Sequence, residues 1–237
     1  MRLSVHLNSL AQFRAEGNHA TPDLFNSALA ADLAGADGIV CRLEENGPID
    51  IKELASLKKM VKSHLTIEVE PNDALLRTAM EIKPDQVTLV LGGDSSRGLD
   101  VVTNSLTLRE QVRSLHAAGI EVSLQIMPEI EQVKEARKLE ADAVTLSVVR
   151  YTKADSADDA IIYLEEIEAA ALGAKRLGMT TLATYALDHR NIAPLASFGT
   201  IDETILGHRL FARSFFIGLE RAFAELRDVV RWQSARG

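Results

Sequence analysis

The chain lacks most of the features that would assign it quickly to a compartment or a chemistry. One of its 237 residues is cysteine, Cys41, so no intramolecular disulfide can form and no oxidising compartment is implied. Cys41 lies in an apolar, strand-like run and reads as a small buried hydrophobe rather than a reactive thiol. No apolar run approaches the ~20 residues of a membrane span, and the N-terminus lacks the basic-then-apolar pattern of a secretory signal. A cytoplasmic location without a membrane partner is expected. Basic residues are in deficit, 26 Lys and Arg against 34 Asp and Glu for a net charge of −8. That balance argues against nucleic acid as the main partner, because phosphate-backbone binding needs a basic face. The six histidines, His6, His19, His64, His116, His189 and His208, show no paired ligand spacing, and no HExxH or cysteine cluster occurs, so no metal site is expected. There is no G-x-S-x-G elbow, and no G-x-G-x-x-G follows the first strand, which weakens a dinucleotide-binding reading. No cofactor is expected.

What is present is a repeated alternation of short β-rich runs and longer helical patterns. Hydrophobic residues make up 46% and charged residues 25% of the chain, a balance that suits a soluble protein with a large core. The pattern predicts strands at 3–7, 39–43, 65–70, 86–91, 120–126, 143–148, 179–184 and 201–206. Helices fall between them, one opened by Thr21-Pro22-Asp23, one ended by Gly119, and a closing one from His208 to about Trp232. In that last helix Phe211, Phe215, Ala222, Leu226 and Val229 mark an apolar face at helical spacing. Eight uninterrupted alternations predict a parallel sheet with helices outside it. A length near the ~250 residues typical of such barrels, with no edge-strand signals, favours a single-domain (β/α)₈ TIM barrel of the α/β class over residues 1–237.

In such barrels the reactive residues lie at the C-terminal strand ends and in the loops beyond them, while the interior below is expected to be apolar. Residues two apart share a strand face. His6 and Asn8 therefore top the first strand, Arg42 and Glu44 the second, and Glu68 and Glu70 the third, with Gln125, Ser147 and Tyr185 on later strands. Glu68 is the candidate general base, since burial raises a carboxylate's pKa; a neighbouring Arg42 would instead keep it ionised. Arg42 cannot exchange protons near neutrality, so anion binding or charge stabilisation is its expected role. Gly207 and His208, at the junction of the last strand and the closing helix, form a candidate phosphate cradle of free amides. The Asp94-Ser95-Ser96-Arg97-Gly98 loop offers hydroxyls and a cation to a second anion. The expected ligand is a small phosphorylated metabolite.

These residues carry a resemblance along nearly the whole chain. Ala34-Gly35-Ala36-Asp37-Gly38-Ile39, Glu68, Lys83-Pro84, Gly98-Leu99-Asp100-Val101, Ala118 to Leu124 and Gly207-His208 with Arg213 resemble the pyridoxine 5′-phosphate synthase family. The resemblance implies a barrel that condenses 1-deoxy-D-xylulose 5-phosphate with 3-amino-2-oxopropyl phosphate, without metal or redox cofactor, as a homo-oligomer. The departures fall at the chemistry. The family's V-N-I-D-H reads Val5-His6-Leu7-Asn8-Ser9 here. Its strand-two H-L-R, which carries the proton-accepting histidine, reads Arg42-Leu43-Glu44, and the loop that follows is shortened to Glu45-Asn46-Gly47-Pro48. Its A-G-H-G, with the proton-donating histidine, reads Ala183-Thr184-Tyr185-Ala186. Of the three acid/base positions only Glu68 keeps its residue. Tyr185, with an ordinary pKa near ~10, replaces a histidine poorly.

Two readings follow. In one the chain is a divergent transferase of vitamin B6 biosynthesis, with Glu68 as base, Tyr185 as acid, Arg42 as oxyanion partner, and His6, Asn8, Ser95, Ser96, Ala186, Gly207 and His208 around the substrate. In the other it is a non-catalytic paralogue that binds a B6 phosphate or precursor as carrier, sensor or partner subunit. A structural subunit without ligand is the third possibility. Phe216 and Trp232 are candidate contacts between subunits, or core residues.

Overall fold

A computed structural model of the protein describes residues 1–17, 20–93 and 96–234. His19 and Ser95 lie outside them. The chain opens with β1 (Arg2–His6), α1 (Asn8–Glu16) and α2 (Leu24–Ala34), then β2 (Gly38–Leu43), α3 (Ile51–Met60), β3 (His64–Val69) and α4 (Asp73–Ile82). Next come β4 (Gln86–Leu89), α5 (Ser105–Ala117), β5 (Glu121–Ile126), α6 (Ile130–Lys138) and β6 (Ala143–Ser147). The last part comprises α7 (Val149–Thr152), α8 (Ala157–Arg176), β7 (Thr180–Thr184), α9 (Ile192–Ser197), β8 (Glu203–Leu206), α10 (His208–Ile217) and α11 (Leu219–Ser234). All eight strands pair in parallel and in sequence order, and β8 returns to β1 with Arg2 opposite Glu203 and Val5 opposite Leu206. The protein is a (β/α)₈ barrel. Among the described residues no helix is long and apolar enough to cross a membrane.

Local chemistry sets the helix starts. The Asp23 carboxylate accepts from the N–H groups of Phe25 and Asn26 at 2.7 and 3.0 Å, and Asp50 and Glu53 form a reciprocal capping box on α3. Asn72 and Ser156 cap α4 and α8 by accepting first-turn N–H groups, without a reciprocal box.

The floor of the barrel repeats one device four times. An aspartate just before each even-numbered strand accepts from a backbone N–H near the start of the strand before it. Asp37 takes Leu3 N–H at 2.7 Å, Asp85 takes Leu65 at 2.8 Å, Asp142 takes Val122 at 2.8 Å and Asp202 takes Thr181 at 2.9 Å. Each aspartate also donates its own N–H back to the carbonyl of the same residue, at 2.8–3.0 Å. The barrel is thus stapled pairwise, β1–β2, β3–β4, β5–β6 and β7–β8, at the end away from the strand tips.

Two expectations need correction. The interior is largely polar: Ser4, Thr66, Thr88, Ser123, Thr145 and Glu203 are buried there, and a four-residue apolar cluster of Val40, Ala143, Leu182 and Ile205 is the exception. Several of these groups pair with one another, Ser4 Oγ donating to Glu203 at 2.6 Å and Ser123 meeting Thr145 at 2.8 Å, while the Thr88 hydroxyl has no partner among the described residues. The large apolar layer lies instead between strands and helices, where Val5, Ile39, Ile67, Leu89 and Phe223 are buried. Cys41 joins that layer, and burial pushes its thiol pKa up, so it packs as a hydrophobe.

The closing helix is not continuous. Gly218, at φ +84°, breaks it into α10 and α11. Phe211, Ala222 and Leu226 are buried as expected, but Phe215 is exposed. Phe216 and Trp232 are also exposed, so neither belongs to the core of this chain.

Replacing Asp37 by alanine leaves the buried Leu3 N–H without its charged acceptor. The expected cost is about 1–2 kcal/mol in urea unfolding, with most of it restored in Asp37→Asn, which keeps a carbonyl acceptor.

Candidate active site

The mouth at the C-terminal strand ends encloses a cavity of about 490 Å³, within the range of small-ligand sites. It is lined by His6, Asn8, Arg42, Glu68, Tyr185, Ala186, Gly207 and His208, all singled out from the sequence. Ser96 does not line it: its carbonyl accepts from the Ser147 hydroxyl, and the backbone at Gly98 approaches β5 so closely that a Cβ there would lie 2.3 Å from Met127 N.

The centre of the site is built across β1 and β3. The Asn8 N–H, at the first turn of α1, donates to His6 Nδ1 at 3.3 Å. That leaves Nε2 as the proton-bearing nitrogen, and it stands 3.1 Å from Glu68 Oε2. Glu68 is 3% exposed. Burial pushes its carboxyl pKa up, as anticipated, but the interaction with His6, with the positive charge of Arg42, outweighs burial and holds it below its ordinary value. The expectation of a raised pKa is therefore corrected: Glu68 is kept ionised.

Asn8, expected at the tip of the first strand, instead starts α1, a helix that the sequence pattern does not predict. Its Oδ1 accepts the Arg42 N–H at 2.7 Å and ties that helix to β2. Arg42 faces Glu68 in the β2–β3 register, yet its guanidinium turns to other carboxylates. Its Nε lies 3.1 Å from Glu44 Oε1, off the N–H direction and so an ion pair rather than a hydrogen bond, and Nη2 lies 3.7 Å from Glu70 Oε1.

Beyond β7 the backbone is unusual. Tyr185 and Ala186 sit at φ +95° and +52°, in the half of conformational space that L-residues avoid. The turn is held by Asn191, whose side chain donates to the Ala186 carbonyl at 3.1 Å and accepts the Asp188 N–H at 2.8 Å. Asp188 in turn pairs with Arg209 on α10 at 3.0 Å. The Lys153 ammonium lies 5.3 Å from the centre of the Tyr185 ring.

Just beyond β8, α10 begins at the cavity wall. Gly207 precedes it without any side-chain cap, and Gly207, His208 and Arg209 line the cavity, so the positive end of the helix dipole lies at the mouth. A Cβ at Gly207 would meet His6 Cβ at an ordinary 3.5 Å. Lys153 and Arg209 were not singled out from the sequence. Lys153 follows the short α7 just beyond β6, and Arg209 adjoins His208, so the strand-end rule could have found both. Among the described residues no group of three His, Cys, Asp or Glu side chains is gathered in a way that could hold a metal ion.

The family model for the pyridoxal phosphate biosynthesis protein PdxJ matches residues 3–232. The chain belongs to the PdxJ family. The pyridoxine 5′-phosphate synthase of Pelobacter propionicus is 33% identical over 236 residues, covering 98% of this chain and 99% of that protein. That of Chlorobium phaeobacteroides is 34% identical over 236 residues, covering 98% and 100%. A solved 4-hydroxy-2-oxoglutarate aldolase aligns with a TM-score of 0.64 at 16% identity, over 98% of this chain and 94% of that one, a likeness of fold alone. The family match runs from β1 into α11 and so takes in all eight strands of the barrel.

At position 186 glycine relieves the left-handed strain of alanine, offset partly by the greater freedom of glycine in the unfolded chain. Ala186→Gly is expected to stabilise the protein by about 0.5–1 kcal/mol, read as a higher urea midpoint at constant m.

Proposed function

We propose that the protein binds a small phosphorylated metabolite of the vitamin B6 route in the barrel mouth and moves protons on it through Glu68 and His6. The observation that carries this reading is the 3.1 Å contact between His6 Nε2 and the buried Glu68 carboxylate, in the same cavity as an uncapped helix N-terminus. The phosphoryl group goes to the amides after Gly207, beside His208, where helix geometry favours an anion. Lys153 and Arg209 add positive charge at that rim.

Glu68 is the proton acceptor, and the hydrogen bond from His6 stabilises its charged form. Arg42 steadies negative charge that develops on substrate oxygen, and Tyr185 is the acid available at the β7 tip. The relatives' name extends this to the synthesis of pyridoxine 5′-phosphate, and the family resemblance in the sequence implies the condensation of 1-deoxy-D-xylulose 5-phosphate with 3-amino-2-oxopropyl phosphate as its route. Arginine in place of one histidine and tyrosine in place of another each remove a general acid or base worth about 10²–10⁴ in rate. That reaction is therefore slow here, or has moved to a related amino or keto phosphate. The protein works in the cytoplasm as a homo-oligomer, and the exposed Phe13, Phe215 and Phe216 supply apolar surface for subunit contact.

A second reading, a non-catalytic binder of a B6 phosphate, draws on one observation: both His6 ring nitrogens are already engaged, by Asn8 and by Glu68. The test is to incubate the protein with both substrates beside a genuine synthase and follow pyridoxine 5′-phosphate by mass and absorbance. Slow product formation, lost by about 10²–10⁴-fold in Glu68→Gln while phosphate binding persists, is the expected result. No product from a folded protein that binds phosphate favours the binder. Turnover unchanged in Glu68→Gln refutes the role given to Glu68.

A further inference from the structure

Two consecutive L-residues with left-handed φ, Tyr185 at +95° and Ala186 at +52°, follow β7 at the mouth. Such conformations persist only where the surroundings enforce them, and they gather at functional sites. The Ala186 side is well held. Asn191 donates to its carbonyl and accepts the Asp188 N–H, and the Asn191 carbonyl is itself fixed by the Tyr151 hydroxyl at 2.9 Å. The Tyr185 side is held less firmly. Its hydroxyl makes no hydrogen bond among the described residues, and its ring is met by the Lys153 ammonium at 5.3 Å, near the long end of the cation–π range.

A strut runs from this turn to the start of α10. One Asp188 oxygen accepts the Arg190 N–H at 2.8 Å and the other accepts from Arg209 Nη1 at 3.0 Å. Arg209 is the second residue of α10 and lines the mouth. The two side chains are 37% and 17% exposed, and a pair so open to water holds weakly on its own. A guanidinium carries five N–H donors, and among the described residues Arg209 uses its side chain on Asp188 alone. Its other edge is open to a second anion, and a guanidinium gripped by a carboxylate on one edge and a phosphoryl group on the other is fixed in direction as well as in place.

We propose that Arg209 is a positioning residue that couples the anion site to Tyr185. A phosphoryl group at the start of α10 takes the open edge of the guanidinium, Arg209 then fixes Asp188, and Asp188 with Asn191 sets the turn that presents Tyr185 to the mouth. The acid is thereby ordered when a phosphorylated ligand is in place and loosely held when the mouth is empty. The coupling is reciprocal, since whatever orders the turn also favours the anion. It rests on the proposed phosphate site at α10 and needs no turnover to be seen.

The test is fluorine NMR of the full chain carrying fluorotyrosine, in which Tyr151, Tyr163 and Tyr185 are the three labelled positions and Tyr185→Phe assigns the signal at the mouth. Inorganic phosphate is the probe, with its affinity measured in parallel by calorimetry. Phosphate is expected to shift and narrow the Tyr185 signal of the wild type. Asp188→Ala, or Asp188→Asn, which removes the charge with less disturbance to the turn, still binds phosphate within about fivefold of the wild type. At saturating phosphate, however, the Tyr185 signal of either variant no longer responds. Asn191→Ala, which keeps the Arg209–Asp188 pair and loosens the turn, gives a broad Tyr185 signal with and without phosphate. A Tyr185 signal that answers phosphate alike in the wild type and both Asp188 variants, or that ignores phosphate bound by the wild type, overturns the coupling and leaves the α10 site standing. No phosphate bound to any of the chains overturns the α10 site and the coupling together.

Discussion

A carboxylate that is buried and still charged needs partners close at hand, and much of this mouth is arranged to supply them to Glu68. Taking an isolated carboxylate out of water costs several kcal/mol, and the group would ordinarily respond by picking up a proton. Here the imidazole of His6 stands at hydrogen-bond distance and Arg42 lies on the adjacent strand. Both act in the opposite sense to burial, and together they prevail. The position of His6 depends in turn on α1 starting immediately after β1, because the Asn8 N–H fixes which imidazole nitrogen bears the proton. The same Asn8 holds the β2 backbone at Arg42. A helix start, a strand tip and a buried charge are therefore a single construction.

The barrel below gives that construction a rigid base. Four aspartates staple its strands in pairs at the floor, and buried hydroxyls pair within the interior. A polar interior has a functional consequence, since it brings charged and hydrogen-bonding groups continuously up to the mouth. Division of labour along the axis is what the barrel architecture favours: stability at the N-terminal face, chemistry at the C-terminal one.

The alternation of strands and helices was legible because strand runs rich in Val, Ile and Leu are bounded by Gly, Pro and Asp punctuation, as at Gly35-Ala36-Asp37-Gly38. The staple aspartates were visible only as turn residues; that each reaches back across a strand pair is a property of the closed barrel. Helix α1 escaped notice because Leu10, Ala11 and Phe13 make no apolar stripe, and Phe13 is exposed. The break at Gly218 was hidden by apolar residues at helical spacing on both sides of it. In the mouth, the strand-end rule found Glu68, Arg42, His6 and Tyr185. It could not find their pairing, since His6 reaches past β2 to β3 and Arg42 turns from its neighbour Glu68 to Glu44 and Glu70. Those choices depend on side-chain reach across strands, which no linear spacing encodes.

The central claim is that His6 keeps Glu68 charged in a place where burial alone would neutralise it. It is tested most directly by a carbon-13 carboxylate NMR titration of Glu68 in the wild type and in His6→Asn. The account predicts that Glu68 of the wild type titrates below the ~4.3 of an ordinary glutamate and that the variant titrates higher. The stability conferred by the depressed value is then present above pH ~4.3 and lost as pH falls through the folded-state pKa. A Glu68 that titrates above ~4.3 in the wild type, or that does not move when His6 is replaced, would contradict it.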